Sequence, residues 1–475
     1  MGIPKFYKWI YDNARECVHP TSIPTRVTGP CDVLCIDMNV LMHRVVSRLC
    51  EPPESFFNTS PEVVSYSHEE IYELIVQDTL QMIEVVSPTK CVFIAIDGVA
   101  GMSKASQQRR RRYVRTNAPT HPLAFPFDRS HISCGTDFMK GFVEHLNTRL
   151  TTILGTQLNI SDDTMPGEGE AKIMTYLRSV RYKSVCVYSV DSDLILLLMG
   201  NVVRRPCTKR VWFLRDALYR FIKEKYLIMD MSMLTRYVAS YGNVLDFIFL
   251  MSMVGNDFLP AVPSIDIDAG GIEWILHHLS EDGDRFMTLE KFIGIARDMS
   301  VDEDKHLYSI YMHARKKHIA YPTLEESVKD GSVDVKRFKT LHATKYNGYI
   351  VDAYYEGMMF VYHYYLHGIP SWSWQYPHFY APILHDLQCV QLGVPTYKLD
   401  APLSPGQQLF SILPRRSFDL VPEKYRAELD AAYERCQEYF PSEYCVDSEG
   451  KAEAYEHVVI LPCIPYATLV REVVC

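Results

Sequence analysis

Two periods of apolar residues alternate along the first half of the chain. The run DVLCID (32–37) is apolar through its middle and ends in Asp37, which predicts a strand with a carboxylate at its exit. HEEIYELIVQDTLQMIEVV (68–86) carries apolar residues at helical spacing and predicts a helix. CVFIAID (91–97) predicts a second strand, ending in Asp97. Residues 137–154 and EGEAKIMTYLRSV (168–180) predict helices, the latter opening after Pro166 with Glu168 and Glu170 in its first turn. SVCVYSVDSD (184–193) predicts a third strand running out into Asp191 and Asp193. Strand, helix, strand in this rhythm predicts an α/β fold, a mostly parallel central sheet flanked by helices. Such sheets place their ligands at the carboxyl ends of the strands.

The second half changes character. VLDFIFLMSMVGNDFLP (244–260) is a helix-like apolar run broken by a Gly-Asn-Asp turn that presents Asp257. Residues 281–345 are charge-rich and poor in strand pattern, which predicts helices and connections. From 346 onward aromatics dominate, predicting a core helix, an aromatic-rich loop, and a tail of Pro-rich turns and short helices. The expected organisation is a domain at 1–280 carrying the chemistry, a helical connection at 281–345 and a largely helical second region at 346–475.

Composition narrows the class. At 475 residues, 47% hydrophobic and 23% charged, the chain has material for a large core. A net charge of −9 argues mildly against a nucleic-acid binder, although a local basic patch captures phosphate whatever the net charge. The 13 cysteines are scattered; Cys31 and Cys35 have no second pair to complete a zinc site, so buried thiols and a reducing compartment are expected. The N-terminus lacks a secretory apolar region, Phe6 stands where a myristoylation signal needs Ser or Thr, and no apolar run approaches a membrane span. The expected setting is the cytoplasm, with the nucleus left open, and no membrane partner.

Seven carboxylates recur at strand or turn exits: Asp37, Asp97, Glu168, Glu170, Asp191, Asp193 and Asp257. Singly, each is equally well read as a turn cap or as an acid favoured in a first helical turn. Together, carboxylates converging on one crevice repel, and stay ionised only with cations between them. Oxygen-only donors suit Mg²⁺, or Mn²⁺, rather than zinc. Two such ions about 4 Å apart are a known solution for phosphodiester hydrolysis.

Directly after the Asp97 strand, the segment from Lys104 to Arg115 holds six basic residues and no acidic one. Lys104, Gln108, Arg111 and Arg112 recur at helical intervals, and an ammonium, an amide and guanidinium forks around one point make a terminal-phosphate pocket. A solvated helix face is the plainer alternative. His43, one turn after Asp37 and Asn39, could stack on a base or sit satisfied in the core. Trp372, Trp374, Tyr376, Tyr380 and Tyr455 offer stacking surface or ordinary packing.

These motifs resemble the eukaryotic-type 5′→3′ exoribonucleases (the Xrn family). The resemblance rests on MGIPKFYKWI (1–10), CIDMNVLMH (35–43), FIAIDGVAG (93–101) with QQRRRRY (107–113), SCGTDFM (133–139), SDDTMPGEGEAKIM (161–174), SVDSDLILL (189–197) and VGNDFLP (254–260). It continues through 354–382 and LPRRSFDLVPEKY (413–425), and so covers nearly the whole chain. It implies a flap-nuclease-like (PIN-like) sheet and a monomeric, minimal catalytic core without a long C-terminal extension. The implied activity is stepwise 5′→3′ hydrolysis of single-stranded RNA bearing a 5′-monophosphate. By resemblance, the seven carboxylates hold two ions, with Glu170 between them. Lys104, Gln108, Arg111 and Arg112 hold the 5′-phosphate, and His43 stacks on a terminal base with Tyr455 as its partner. The N-terminal segment would help exclude duplex. Val40, Gly101-Met102, Ala171 and Ala261 depart from the family pattern without removing a carboxylate. A flap-type DNA nuclease shares the carboxylate ring, but its helical arch and helix–hairpin motif are not evident. A non-catalytic RNA-binding scaffold would have little reason to keep seven acids together.

Overall fold

Alternation within the apolar strands sorts their side chains onto two faces. The computed structural model describes residues 2–50, 65–116, 125, 127–205, 210–217, 222–280, 287–346 and 348–474. Its main sheet has β1 (Val18–Thr21), β2 (Cys31–Asp37), β3 (Pro88–Ala95), β4 (Leu158–Ser161), β5 (Ser184–Tyr188), β6 (Arg210–Asp216) and β7 (Tyr226–Asp230). They lie in the order β1-β7-β6-β5-β2-β3-β4. The five strands from β6 to β4 are parallel, and β7 and β1 add an antiparallel edge. Val33, Cys35, Phe93, Val185 and Val187 point into one apolar cluster, and Leu34, Ile36, Val92, Ile94 and Cys186 into another. A parallel sheet needs this cover on both faces.

The helices Met38–Cys50, His68–Val86 and Asp137–Leu154 pack on the second face. His68–Val86 starts where the sequence predicts it, because Ser67 and Glu70 form a reciprocal capping box, with bonds of 3.2 and 2.8 Å. The other face is covered by Phe6–Asn13, Gly169–Ser179, Asp193–Arg204 and the helices that follow, including the aromatic helix Val351–His367. One core therefore runs through the boundary expected at 346. The connection holds the helices Leu289–Ser300, Glu303–Lys316 and Val335–Ala343, plus a small unanticipated hairpin, Val328–Lys329 with Ser332–Val333. Residues 281–286, at its start, lie outside the described residues.

A third apolar cluster fixes the basic helix Met102–Thr116. Val99, Met102 and Ala105 pack against Leu409, Phe410, Leu429 and Leu469 of the C-terminal helices. Arg109 reinforces the joint: its guanidinium lies 5.1 Å from the Phe440 ring centre and 5.4 Å from that of Tyr113, and donates to the Tyr439 carbonyl. Among the described residues no single helix is long and apolar enough to cross a membrane.

Candidate active site

β5, β2 and β3 are neighbours at the middle of the sheet, so their exits open onto the same place. Asp37 is the last residue of β2, Asp97 follows β3, and Asp191 follows β5. A cavity of about 620 Å³ is lined by Asp37, Asp97, Glu168, Glu170, Asp191 and Asp257. The seventh, Asp193, stands behind that wall. Its carboxylate is fully buried, one oxygen accepts the Leu194 N–H at 3.1 Å, and Oδ2 has no hydrogen-bond partner among the described residues. The N-terminal segment covers it: Ile3 and Ser192 exchange bonds of 3.1 and 2.5 Å, and a Cβ on Gly2 would meet Asp193 Oδ1 at 2.3 Å.

Gly169 allows a second close approach. A Cβ there would lie 2.9 Å from Asp37 Oδ1 and 3.4 Å from Asp97 Oδ1, so only glycine lets this helix start among the carboxylates. Its N–H donates to Asp97 Oδ1 at 2.6 Å. Asp97 thus does cap a helix, as the plainer reading of a strand-end acid has it. Glu168, at the N-cap position of the same helix, makes no capping bond, and its side chain is left for the cavity.

Burial and mutual repulsion set the electrostatics. Burial, then the neighbouring Asp97 carboxylate, pushes Asp37 up to about 7. Burial likewise raises Glu168 to about 7 against the pull of Lys104, and it raises Glu170, Asp97 and Asp193. Asp257 goes the other way: burial opposes its charge, but Lys104 and Arg111 outweigh it and hold the carboxyl well below the ordinary range. Lys104 Nζ lies 2.8 Å from Glu168 Oε1 and 2.8 Å from Asp257 Oδ2, and Arg111 lies 3.0 Å from Asp257 Oδ1.

The donor set fits a hard divalent cation. Every candidate ligand is a carboxylate, burial raises five of the seven, with neighbouring carboxylates adding to it at Asp37, Glu168, Glu170 and Asp193, and Asp193 keeps an unpartnered buried oxygen. In the present arrangement Lys104 and Arg111 supply the positive charge. Among the described residues no three acidic, histidine or cysteine side chains are drawn into a metal-holding cluster.

Several residues that position the carboxylates escaped the sequence reading. Ser189 donates to Asp37 Oδ2 at 2.9 Å and accepts the Asp191 N–H at 3.1 Å. Asn39 Oδ1 accepts the Asp97 N–H at 2.9 Å. The buried Tyr364 hydroxyl donates to Glu170 at 3.1 Å and reaches Glu168 at 3.5 Å. Ser189 and Asn39 stand two residues from an acid in the quoted motifs, which was a usable signal. Tyr364 sits in an aromatic run that reads as core.

Lys104, Gln108, Arg111, Arg112 and His43 all line the carboxylate cavity. Lys104 is engaged by the carboxylates themselves. Arg112 donates to Ser133 Oγ at 2.6 Å. Tyr455 lines a second cavity rather than the one holding His43, and its segment packs against the basic helix. Trp374 stacks on Phe360 at 4.0 Å between ring centres and is packing. The Arg115 side chain lies outside the described residues.

Comparison with known proteins agrees with this architecture. The family profile described as "XRN 5'-3' exonuclease N-terminus" matches residues 1–207, and that described as "Xrn1 helical domain" matches 242–313 and 334–474. The chain is 26% identical to human 5'-3' exoribonuclease 1, over 98% of the chain and 33% of that protein. It is 22% identical to 5'-3' exoribonuclease 1 of Saccharomyces cerevisiae, over 99% of the chain and 43% of that protein. It is also 22% identical to 5'-3' exoribonuclease 2 of Arabidopsis thaliana, over 98% of the chain and 66% of the relative. The chain thus spans less than half the length of the first two.

Proposed function

The chain belongs to the XRN 5'-3' exonuclease family, and we propose that it is a divalent-metal-dependent 5′→3′ exoribonuclease acting on single-stranded RNA with a 5′-monophosphate. One observation carries this reading. Six carboxylates and the polar and basic side chains of Lys104, Gln108, Arg111 and Arg112 line the same cavity, with His43 on its wall. A cavity that both opposes and attracts negative charge suits a phosphate held beside a cation site.

Asp37, Asp97, Glu168, Glu170, Asp191, Asp193 and Asp257 would hold two Mg²⁺ or Mn²⁺ ions, which when bound supply an activated water and stabilise the leaving oxygen. Arg111, Arg112 and Gln108 grip the terminal phosphate through forked and amide donors. Lys104 keeps Asp257 ionised and offers its ammonium to the substrate phosphate. His43 stacks on the first base. Ser189, Asn39 and Tyr364 hold the carboxylates in register. A cap or triphosphate is rejected by size and charge. Hydrolysis breaks the P–O3′ bond, so the released unit is a nucleoside 5′-monophosphate. The shortened RNA keeps the other phosphate as a new 5′-monophosphate end, ready for the same pocket.

The test is a time course with 3′-end-labelled RNAs carrying 5′-phosphate, 5′-hydroxyl or a cap, beside equivalent DNA, with Mg²⁺ or with EDTA. Stepwise shortening of 5′-phosphorylated RNA alone, abolished by EDTA and by Asp191→Ala, is expected. Equal cutting of capped RNA, or preference for branched DNA, would overturn the reading.

A further inference from the structure

The basic helix Met102–Thr116 has a second polar face. Ser103, Ser106, Gln107 and Arg110 line a second cavity of about 740 Å³. Arg111 and Asp257 are common to both cavities and stand between them. The volume lies within the roughly 300–1,000 Å³ usual for small-ligand sites. Apolar residues such as Leu259, Val262 and Ile265 and the aromatics Tyr376, Phe379 and Tyr455 supply much of the wall.

Polar groups in this wall are left over. Its carboxylates are engaged: Asp257 by Lys104 and Arg111, Asp447 and Glu449 by Lys345, and Glu456 by Lys5 at 3.9 Å. Asp266 accepts the Asp268 N–H at 2.8 Å. Arg110 has no hydrogen bond and no ion pair among the described residues, and burial holds its guanidinium below the ordinary arginine value. Gln107 gives its amide N–H to Asp257, which only accepts, so its amide orientation is settled; Oε1 is left buried without a partner. Asn256 is settled too. Its Oδ1 accepts the N–H groups of Phe258 and Leu259 at 2.8 and 2.9 Å, leaving Nδ2 buried without a partner. A cation, a donor and an acceptor, each unmatched, thus share one largely apolar cavity.

We propose that this second cavity is a binding site for a nucleoside 5′-monophosphate. The phosphate meets Arg110, the Asn256 amide donates to it, a ribose hydroxyl donates to Gln107 Oε1, and the base lies on the apolar and aromatic wall. The choice of nucleotide rests on the proposed function, because the neighbouring cavity would release that class of product. Its anionic end and hydroxyl donors match the unpaired groups one for one. Occupancy also sets the nucleotide phosphate beside Arg111, where it competes with Asp257 for that guanidinium.

The test is calorimetric titration of the full chain with AMP, adenosine and inorganic phosphate in EDTA. A saturable AMP site that survives Arg112→Ser is expected, with adenosine and phosphate each weaker by tenfold or more. Arg110→Ser should weaken AMP at least tenfold, and Arg112→Ser, on the carboxylate cavity, less than twofold. Absence of AMP binding at millimolar concentration, or loss with Arg112→Ser but not Arg110→Ser, overturns the proposal. Should Arg110→Ser fail to fold, photolabelling of the unaltered protein with 8-azido-AMP decides. Label on 376–380 or 454–459 supports the site, and label confined to 37–48 overturns it. No ion is present and no RNA is cut in these experiments. Failed cleavage therefore leaves the binding result standing, and failed binding leaves the cleavage assay untouched.

Discussion

Replacing Lys104 by methionine removes an ammonium from between two buried carboxylates while keeping the length of the side chain. Nζ lies 2.8 Å from both Glu168 and Asp257, and the three side chains are 9%, 9% and 3% exposed. Breaking a buried pair on one side costs about 3–5 kcal/mol, because the partner's charge is left uncompensated. Here Glu168 can take a proton, since burial already holds it at about 7, and Asp257 keeps Arg111 at 3.0 Å. The loss in EDTA is therefore expected near the lower end, about 3 kcal/mol. A divalent cation among the carboxylates would take over the role of the ammonium. At a hundredfold excess over its dissociation constant it returns about 2.7 kcal/mol. Urea unfolding of Lys104→Met and of the unaltered protein, in EDTA and in saturating Mg²⁺, measures both. The expected result is a large deficit in EDTA that mostly closes with Mg²⁺. No stabilisation of either protein by Mg²⁺ would refute the claim that these carboxylates take up cations, and no deficit in EDTA would refute the buried pairing.

Three further outcomes are expected. Gly169→Ala sets a methyl 2.9 Å from Asp37 Oδ1; up to ~1 kcal/mol of helix propensity offsets part of an overpacking cost of about 1–3 kcal/mol. Unfolding should shift little while displaced carboxylates slow cleavage by about ten- to hundredfold; unchanged turnover would show that the close approach is unimportant. Tyr364→Phe removes the hydroxyl from Glu170, and single-turnover cleavage should slow about tenfold, a loss of ~1.4 kcal/mol, with RNA affinity in EDTA unchanged; a change in affinity alone would contradict a positioning role. His342 is buried with Nε2 2.9 Å from the Ala381 carbonyl, and burial holds its imidazole below the ordinary 6.5. The unfolded chain then binds that proton first, so stability falls as pH drops through the window below about 6.5. His342→Gln keeps a donor for Ala381 and should lose less stability than the unaltered protein across that window in urea titrations at stepped pH; parallel losses would count against it.

Much of the site was legible because its acids follow strongly patterned segments. Asp37, Asp97 and Asp191 each come after a run of four or more apolar residues, and a parallel sheet brings such exits together whatever the details. Strands β1, β4, β6 and β7 were not read: Val-His-Pro-Thr and Leu-Asn-Ile-Ser are four residues each and half polar, while Arg210–Asp216 and Tyr226–Asp230 are apolar enough to have been found. Tyr364 was out of reach for a different reason. Its partner Glu170 is 194 residues away, and only tertiary packing decides which hydroxyl of an aromatic helix meets a carboxylate. The same holds for Tyr455: its chemistry suits stacking, but its place on one side or another of the basic helix depends on how a distant segment docks. The basic segment was expected to overhang the acids; that the Lys104 ammonium sits between Glu168 and Asp257 was not legible, because pattern shows which residues share a helix face and not which charge each one answers.

The four consecutive arginines of the basic helix are chemically identical, yet each has a different neighbour. Arg109 is clamped by aromatic rings, Arg110 opens on the second cavity, Arg111 stands in the wall between cavities, and Arg112 lines the carboxylate cavity. Angle alone separates them, since each step along a helix turns about 100° and rises about 1.5 Å. From Met102 to Val114 every residue is committed to one cavity or the other, or to the packing that holds the helix. An inserted residue near position 106 would leave composition and charge almost untouched while handing each arginine its neighbour's surroundings. This stretch is therefore bound to its length as tightly as to its residues, and four like side chains are told apart only by rotational phase.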